Sequence, residues 1–272
     1  MHNQLASGGS TARVPVLMYH RVGDASSAVD ARYCVTAKRF SEHMHALARQ
    51  GFRAAPIESM VAWLNGGPPL GDRDFVLTFD DGFRGVLTHA LPILKSLDWP
   101  FTVFLVTDLL GGTDTWARND GGVGAPQPLL REEDLQPMAS CGASFHSHSC
   151  RHLKLPKLAD VELHHELTAS RETLDRILGA ADRYVAYPYG QTDDRVVAAA
   201  RRAGYKAAFS VESGFNRRDV DRFRIRRLDI AGTDSVAALL RKIRLGSNDG
   251  SRMAGLRYLA RRAAARFGMH ST

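Results

Sequence analysis

Phe75-Val76-Leu77-Thr78-Phe79-Asp80-Asp81-Gly82 decides how this chain is read, because a mostly apolar run there meets two carboxylates and a glycine without a break. An apolar run that does not alternate with polar residues fits a strand covered on both faces, the usual state in a parallel sheet. Adjacent carboxylates repel each other and are seldom placed at a strand end for stability. An aspartate there can cap the helix that follows. Capping accounts for one of the pair and leaves the other pointing to chemistry. Gly82 permits a sharp turn behind them.

Working outward, residues 86–97 read as the helix after this strand and residues 101–106 as the next strand. Upstream, residues 14–19 form a short apolar strand. Residues 37–51 have helical spacing, with Phe40, Met44 and Leu47 on one face and Gly51 at the end. Downstream, residues 111–128 are rich in Gly, Asp and Pro and read as an irregular loop. Helices are expected at 129–140, 160–178, 195–203, 233–243 and 253–267, and strands at 143–145, 184–187 and 207–211. Strands alternating with helices predict an α/β fold around a mainly parallel sheet, either a barrel or a doubly wound sheet. In both, functional groups gather at the carboxyl ends of the strands.

Two further clusters sit at such ends. His146-Ser147-His148-Ser149-Cys150-Arg151-His152 places three histidines within seven residues, and on a helical turn His148 and His152 would face the same way. Two histidines and a carboxylate are a common three-ligand set for a catalytic divalent ion. Surface pairs of this spacing also arise by chance, but the strand-end aspartates make that reading harder to hold here. Cys150 reads as a half-buried small side chain rather than a ligand. The second cluster, Tyr187-Pro188-Tyr189-Gly190, can be a turn and nothing more.

Composition excludes several classes. With 44% hydrophobic and 24% charged residues the chain is an ordinary globular one, and no apolar run approaches a membrane span. Cys34, Cys141 and Cys150 form no CxxC pair, which fits reduced thiols. The first residues show no secretion signal, so a cytoplasmic location is expected. The net charge of +7 is concentrated between Arg217 and Arg266. That basic stretch reads first as a solvated surface. Its last helix, with Leu256, Leu259 and Ala263 opposite several arginines, is also suited to dock on an anionic membrane. No aromatic-studded basic motif accompanies it, so nucleic acid is not an expected partner.

Taken together, Thr78-Phe79-Asp80-Asp81-Gly82, the H-S-x-x-H stretch from His148 to His152 and the later Tyr187-Pro188-Tyr189-Gly190 resemble the polysaccharide deacetylases of carbohydrate esterase family 4, the NodB-like enzymes. The likeness includes Val16-Leu17-Met18-Tyr19-His20, Trp116, Glu166-Leu167 to Ser170, and Ala203-Gly204-Tyr205. The resemblance implies a distorted (β/α) barrel of the NodB-homology type over residues 14–245. It leaves a flexible segment at 1–13 and a basic helix at 246–272. It implies that Asp81, His148 and His152 hold one divalent metal ion, Zn²⁺ or similar. Asp80 would be the general base, and the Tyr189 amide would bind the oxyanion. The implied reaction is removal of an N-acetyl, or formyl, group from an amino sugar in a polysaccharide, glycolipid or lipid-linked glycan precursor.

Two departures stand out. Many members carry, at the position of Ala186, an arginine that orients the catalytic base. The family's late Leu-x-His motif, source of a general acid, has its counterpart in Leu228-Asp229-Ile230, which lacks the histidine. His20 is then the first candidate acid, with His146 and Asp229 behind it, and His20 reads equally well as a hydrogen-bonded loop residue. Loss of the acid also leaves open a non-catalytic, metal-containing carbohydrate-binding protein.

Overall fold

The structure is a computed structural model and describes residues 13–25, 30–116, 125–254 and 256. Its strands are β1 (Val16–Tyr19), β2 (Arg21–Val22), β3 (Cys34–Val35), β4 (Arg53–Ala54), β5 (Asp74–Phe79), β6 (Phe101–Leu105), β7 (Ala143–Ser147), β8 (Tyr184–Ala186), β9 (Ala207–Phe209) and β10 (Leu228–Asp229). Its helices are α1 (Ala37–Arg49), α2 (Ile57–Leu64), α3 (Leu91–Ser96), α4 (Glu132–Ala139), α5 (Asp160–Leu178), α6 (Asp194–Arg202) and α7 (Val236–Leu245). The main sheet runs β10-β1-β5-β6-β7-β8-β9 with β4 beside β5, and its strand pairs are parallel.

One segment closes this sheet. Ile225 bridges Phe209 in β9, and three residues later Leu228 pairs with Leu17 in β1. Ser210 N–H donates to the Ile225 carbonyl at 2.8 Å, and Asn216 ties the same segment to Val14. The two open edges are thus joined into the expected distorted barrel.

The period of two along each strand divides the core. Val16, Val76, Phe104, Tyr184, Ala186, Phe209 and Ile225 face one another in a single cluster, into which α2 inserts Ile57, Met60, Val61 and Trp63. Trp63 is wholly buried, and its truncation to alanine is worth ~3–5 kcal/mol. The alternate positions Leu17, Tyr19, Leu77, Phe79, Val103, Leu105 and Phe145 pack outward with Phe40, Met44 and Leu47 of α1. Both faces are therefore apolar, as the unbroken run at 75–79 requires.

Two expected elements change. Residues 86–97 begin as a π-turn, Val86–Ala90, before α3. Pro92 has no N–H for the carbonyl of residue 88, so an α-ladder cannot run through this point unbroken. The helix expected from residue 129 starts at Glu132, because Leu129 bridges Phe83 and Leu130 N–H donates to Gly82 at 2.8 Å. The helix expected at 253–267, with its membrane-docking face, lies largely outside the described residues, as does most of segment 1–13. No helix of the described residues is long and apolar enough to cross a membrane.

Candidate metal centre

The three motif loops leave the carboxyl ends of their strands in strained backbone. Among the described residues five non-glycine ones have positive φ, and four of them belong to these loops: Asp81 (71°), Ser149 (66°), His152 (60°) and Tyr189 (58°). Such conformations cost ~1–3 kcal/mol each and persist where the surroundings over-determine them. Gly82 follows at φ 77°, and a Cβ there would stand 2.7 Å from Leu105 Cδ2. A side chain here would be strained by the positive φ and would have to displace Leu105, so glycine suits the corner that follows Asp81.

Asp81, His148 and His152 are all buried, and one ligand atom from each lies within 4.8 Å of the others. His148 Nε2 is 3.4 Å and His152 Nε2 3.3 Å from Asp81 Oδ1. The tautomer of His148 is fixed from behind: its Nδ1–H donates to the Ala186 carbonyl at 2.7 Å, which leaves the Nε2 lone pair facing the carboxylate. Asp81 Oδ1 is buried without a hydrogen-bond partner. Three acceptors converging on one point require a positive centre. A proton satisfies one pair of them, whereas a divalent ion satisfies all three.

The electrostatics agree. Burial works to raise the Asp81 pKa, but the His148 contact and the fields of His152 and His20 hold it far below the usual carboxylate range. Burial pushes His152 down to about 3, so its imidazole is neutral. Burial also opposes charge on His148, but Asp80 and Asp81 outweigh it and raise its pKa. The chemistry of this donor set fits a divalent ion bound by nitrogen and oxygen.

The loop between the histidines is not the expected helical turn. It leaves β7 at Ser147, and Ser149 and His152 reverse it in left-handed conformation. Glu166 of α5, wholly buried, accepts from the Cys150 and Arg151 amides at 3.0 Å each and from Arg151 Nε at 2.6 Å. Ser147 bonds Ser170 at 2.7 Å and accepts from the Ser149 amide at 3.0 Å, while Ser149 accepts from the His152 amide at 3.1 Å. Cys150 is an interior side chain whose thiol burial pushes up to about 12, as expected of a non-ligand.

Asp80 is held by a residue that the sequence hides. Arg227 makes a bidentate pair with it, Nη1 to Oδ1 at 2.6 Å and Nη2 to Oδ2 at 2.8 Å, and both side chains are buried. Arg227 Nε also donates to the Ser210 carbonyl at 2.9 Å. Burial raises the Asp80 pKa, but the Arg227 charge and the field of His148 bring it below the usual value. The closing segment thus brings an arginine to Asp80, which Ala186 does not. In the sequence Arg227 is one of a crowd of arginines. The available signal was Ile225-x-Arg227, an alternation that continues the inward face.

His20 follows β1, half-buried and edge-on to Tyr33 with ring centres 5.5 Å apart. Its field reaches Asp80, Asp81 and His152, which places it beside the cluster. The Tyr189 ring packs 4.5 Å from that of His152, and the Trp116 ring 4.6 Å from it. Gly190, at φ 65°, meets Val211 so closely that a Cβ would clash. His146 is not at the centre. It lies one inward position below His148, with Nε2 3.5 Å from Glu58 Oε1 and Nδ1 accepting from the Tyr184 amide at 3.3 Å. Ile230, where the family pattern has histidine, is buried in the outer apolar layer.

Comparison with known proteins gives one consistent picture. The sequence pattern of the family described as Polysaccharide deacetylase matches residues 67–208. The putative polysaccharide deacetylase YxkH of Bacillus subtilis is 25% identical over 220 residues, 81% of this chain and 72% of its own length. The poly-beta-1,6-N-acetyl-D-glucosamine N-deacetylase of Staphylococcus epidermidis is 23% identical over 77% of this chain and 72% of its own. Among solved structures, the Streptococcus pyogenes deacetylase PplD superposes with a TM-score of 0.74 at 24% identity, covering 85% of this chain and 98% of that one.

Proposed function

The chain belongs to the polysaccharide deacetylase family of carbohydrate N-deacetylases, and we propose that it hydrolyses the N-acetyl group of an amino sugar with Asp81, His148 and His152 holding one divalent ion, most suitably Zn²⁺. The observation that carries this reading is the convergence of both imidazole Nε2 atoms on the unpartnered Asp81 Oδ1. The substrate would be a polysaccharide, a glycolipid or a lipid-linked glycan precursor.

When bound, the ion would act as a Lewis acid, lowering the pKa of a water and polarising the acyl carbonyl. The residues do the rest. Asp80, kept ionised and aimed by Arg227, takes the proton from the attacking water through one of its carboxylate oxygens. The backbone N–H of Tyr189 would stabilise the negative charge that grows on the carbonyl oxygen. His20, beside both carboxylates, is the group assigned to protonate the leaving amine. Trp116 and Tyr189 flank His152 and wall off one side from water.

The test is metal content together with acetate release from N-acetylglucosamine oligomers, for the wild type and Asp80→Asn. One equivalent of metal in both, with acetate only from the wild type, supports the assignment. Protein that takes up no metal after reconstitution would refute it.

A further inference from the structure

The two histidines of the cluster are steadied in different ways. His148 donates from Nδ1 to the Ala186 carbonyl, whereas His152 Nδ1 is buried with no hydrogen-bond partner among the described residues. A ligating imidazole normally takes its orientation from the bond made by its other nitrogen. The His152 ring is held by packing instead, against the rings of Trp116 at 4.6 Å and Tyr189 at 4.5 Å. The stack continues outward. The Phe83 ring, next to the Asp81-Gly82 corner, lies 6.4 Å from that of Trp116, and the Arg21 guanidinium stands 5.9 Å over Phe83.

Trp116 is only half-buried, and its place is set two positions upstream. Asp114 is buried, and its Oδ1 accepts from the Gln127 amide at 2.6 Å, while its own N–H donates to the Gln127 carbonyl at 3.2 Å. The Thr113–Pro128 bridge and the bond from the Leu129 N–H to the Gly112 carbonyl carry the same ladder back towards the barrel. Asp114 thus makes a rung of that ladder just before the chain reaches Trp116. The rung depends on a side chain, because Gln127 stands between Pro126 and Pro128 and holds the one backbone N–H of the three. Burial raises the Asp114 pKa against the pull of the Gln127 amide and the Arg21 charge, and the Asp81 charge adds to the rise, so the carboxylate lies within reach of the cluster.

We propose that Asp114 is a positioning residue for the metal centre: its bond to the Gln127 amide seats the Trp116 ring against His152 and so holds that imidazole in its ligating orientation. The inference rests on the proposed metal-dependent deacetylase reading and adds to it a residue outside the ligand set.

The test follows Trp116 by its fluorescence and the centre by Co²⁺ as a probe ion. Trp63 and Trp99 are buried, so the emission lost in Trp116→Ala reports Trp116. Acrylamide quenching of the metal-stripped protein and Co²⁺ affinity are measured for the wild type, Asp114→Asn, Asp114→Ala, Gln127→Pro, Trp116→Ala and the double variant Asp114→Ala/Trp116→Ala. Asp114→Ala and Gln127→Pro remove the bond from opposite ends. Each should raise the quenching of Trp116 and weaken Co²⁺ binding about tenfold, the low end of the ~10–100-fold cost of changes outside the ligand set. Asp114→Asn keeps a carbonyl oxygen for the amide and should match the wild type in both. Trp116→Ala should weaken Co²⁺ as much as Asp114→Ala, and the double variant no further, because the ring that Asp114 seats is gone. Unchanged quenching in Asp114→Ala and Gln127→Pro, or a Co²⁺ loss from Asp114→Ala that persists in full without Trp116, overturns the proposal and leaves the metal centre standing. A wild type that binds no Co²⁺ refutes the reading on which the proposal rests.

Discussion

His146 and His148 stand two residues apart at the end of one strand, both face the barrel interior, and both meet a carboxylate, yet they make different devices. His146 accepts the Tyr184 amide on Nδ1, so its proton sits on Nε2, aimed at Glu58. That contact is 3.5 Å long and leaves Nε2 without a hydrogen-bond partner, while the Glu58 side chain, 51% exposed, keeps water for its charge. His148 donates from Nδ1 to a carbonyl, so its Nε2 turns a lone pair towards Asp81, whose side chain is only 8% exposed. A second imidazole, His152, then crowds the same oxygen at 3.3 Å. The lesson is that burial and a histidine–carboxylate contact do not make a metal site. The opposite tautomer and a surplus of acceptors do.

The comparison breaks first at the upper rung. Asp81→Asn should lower metal affinity by at least ~100-fold, since even outer-shell changes cost 10–100-fold, and abolish acetate release. Atomic absorption on the reconstituted protein reads the first, and full metal retention by the variant would end the distinction drawn here. Arg227→Ala comes next. Removing one partner of a buried pair leaves Asp80 uncompensated at a cost of ~3–5 kcal/mol, seen as a large fall in Tm. Arg227→Lys should recover part of the stability and little of the activity, because an ammonium cannot hold both carboxylate oxygens.

A smaller effect is expected at the lower rung. His146→Gln loses the Glu58 contact and should cost ~1–3 kcal/mol in denaturant unfolding, with metal content retained. Loss of metal from this variant would mean that the two rungs are one network.

The smallest effect concerns pH. His43 is another buried histidine, accepting from Tyr19 OH at 3.0 Å and donating to the Asp234 carbonyl at 2.9 Å. Burial lowers its pKa below the usual 6.5. A histidine depressed in the folded state adds stability above its unfolded pKa that is lost as pH falls from about 6.5 towards the folded value, because the unfolded chain takes up the proton first. His43→Gln should therefore flatten the fall of unfolding free energy as the pH drops below about 6.5. An unchanged slope would assign that fall to other groups.

Most of this was legible in the chain. The apolar run ending at Asp80-Asp81-Gly82, the helix at 160–178 and the histidine-rich strand end are local patterns, each set by the period of its own element; they predicted an α/β fold around a parallel sheet and the candidate ligand residues, while the barrel followed from the family resemblance. The π-turn before Leu91 was missed because it answers to one proline's missing N–H. The late start of α4 was missed because it answers to bridges from Gly82 and Phe83. The loop from His148 to His152 satisfied the spacing of a helical turn while being nothing of the kind, since Glu166 and Ser147, the latter bonded to Ser170, hold its amides from outside.

By itself, then, the sequence determined which side chains could bind an ion and that they would gather at one end of a parallel sheet. Only the tertiary structure showed what keeps His146 apart from the cluster and what steadies the Asp80 carboxylate. Tautomer choice depends on a carbonyl or an amide from another strand, Ala186 for His148 and Tyr184 for His146. The Asp80–Arg227 pair spans 147 residues of sequence and exists because the barrel closes through the segment that carries the arginine. Contacts of that range leave no period in a chain, since they are set by where the sheet's two edges meet.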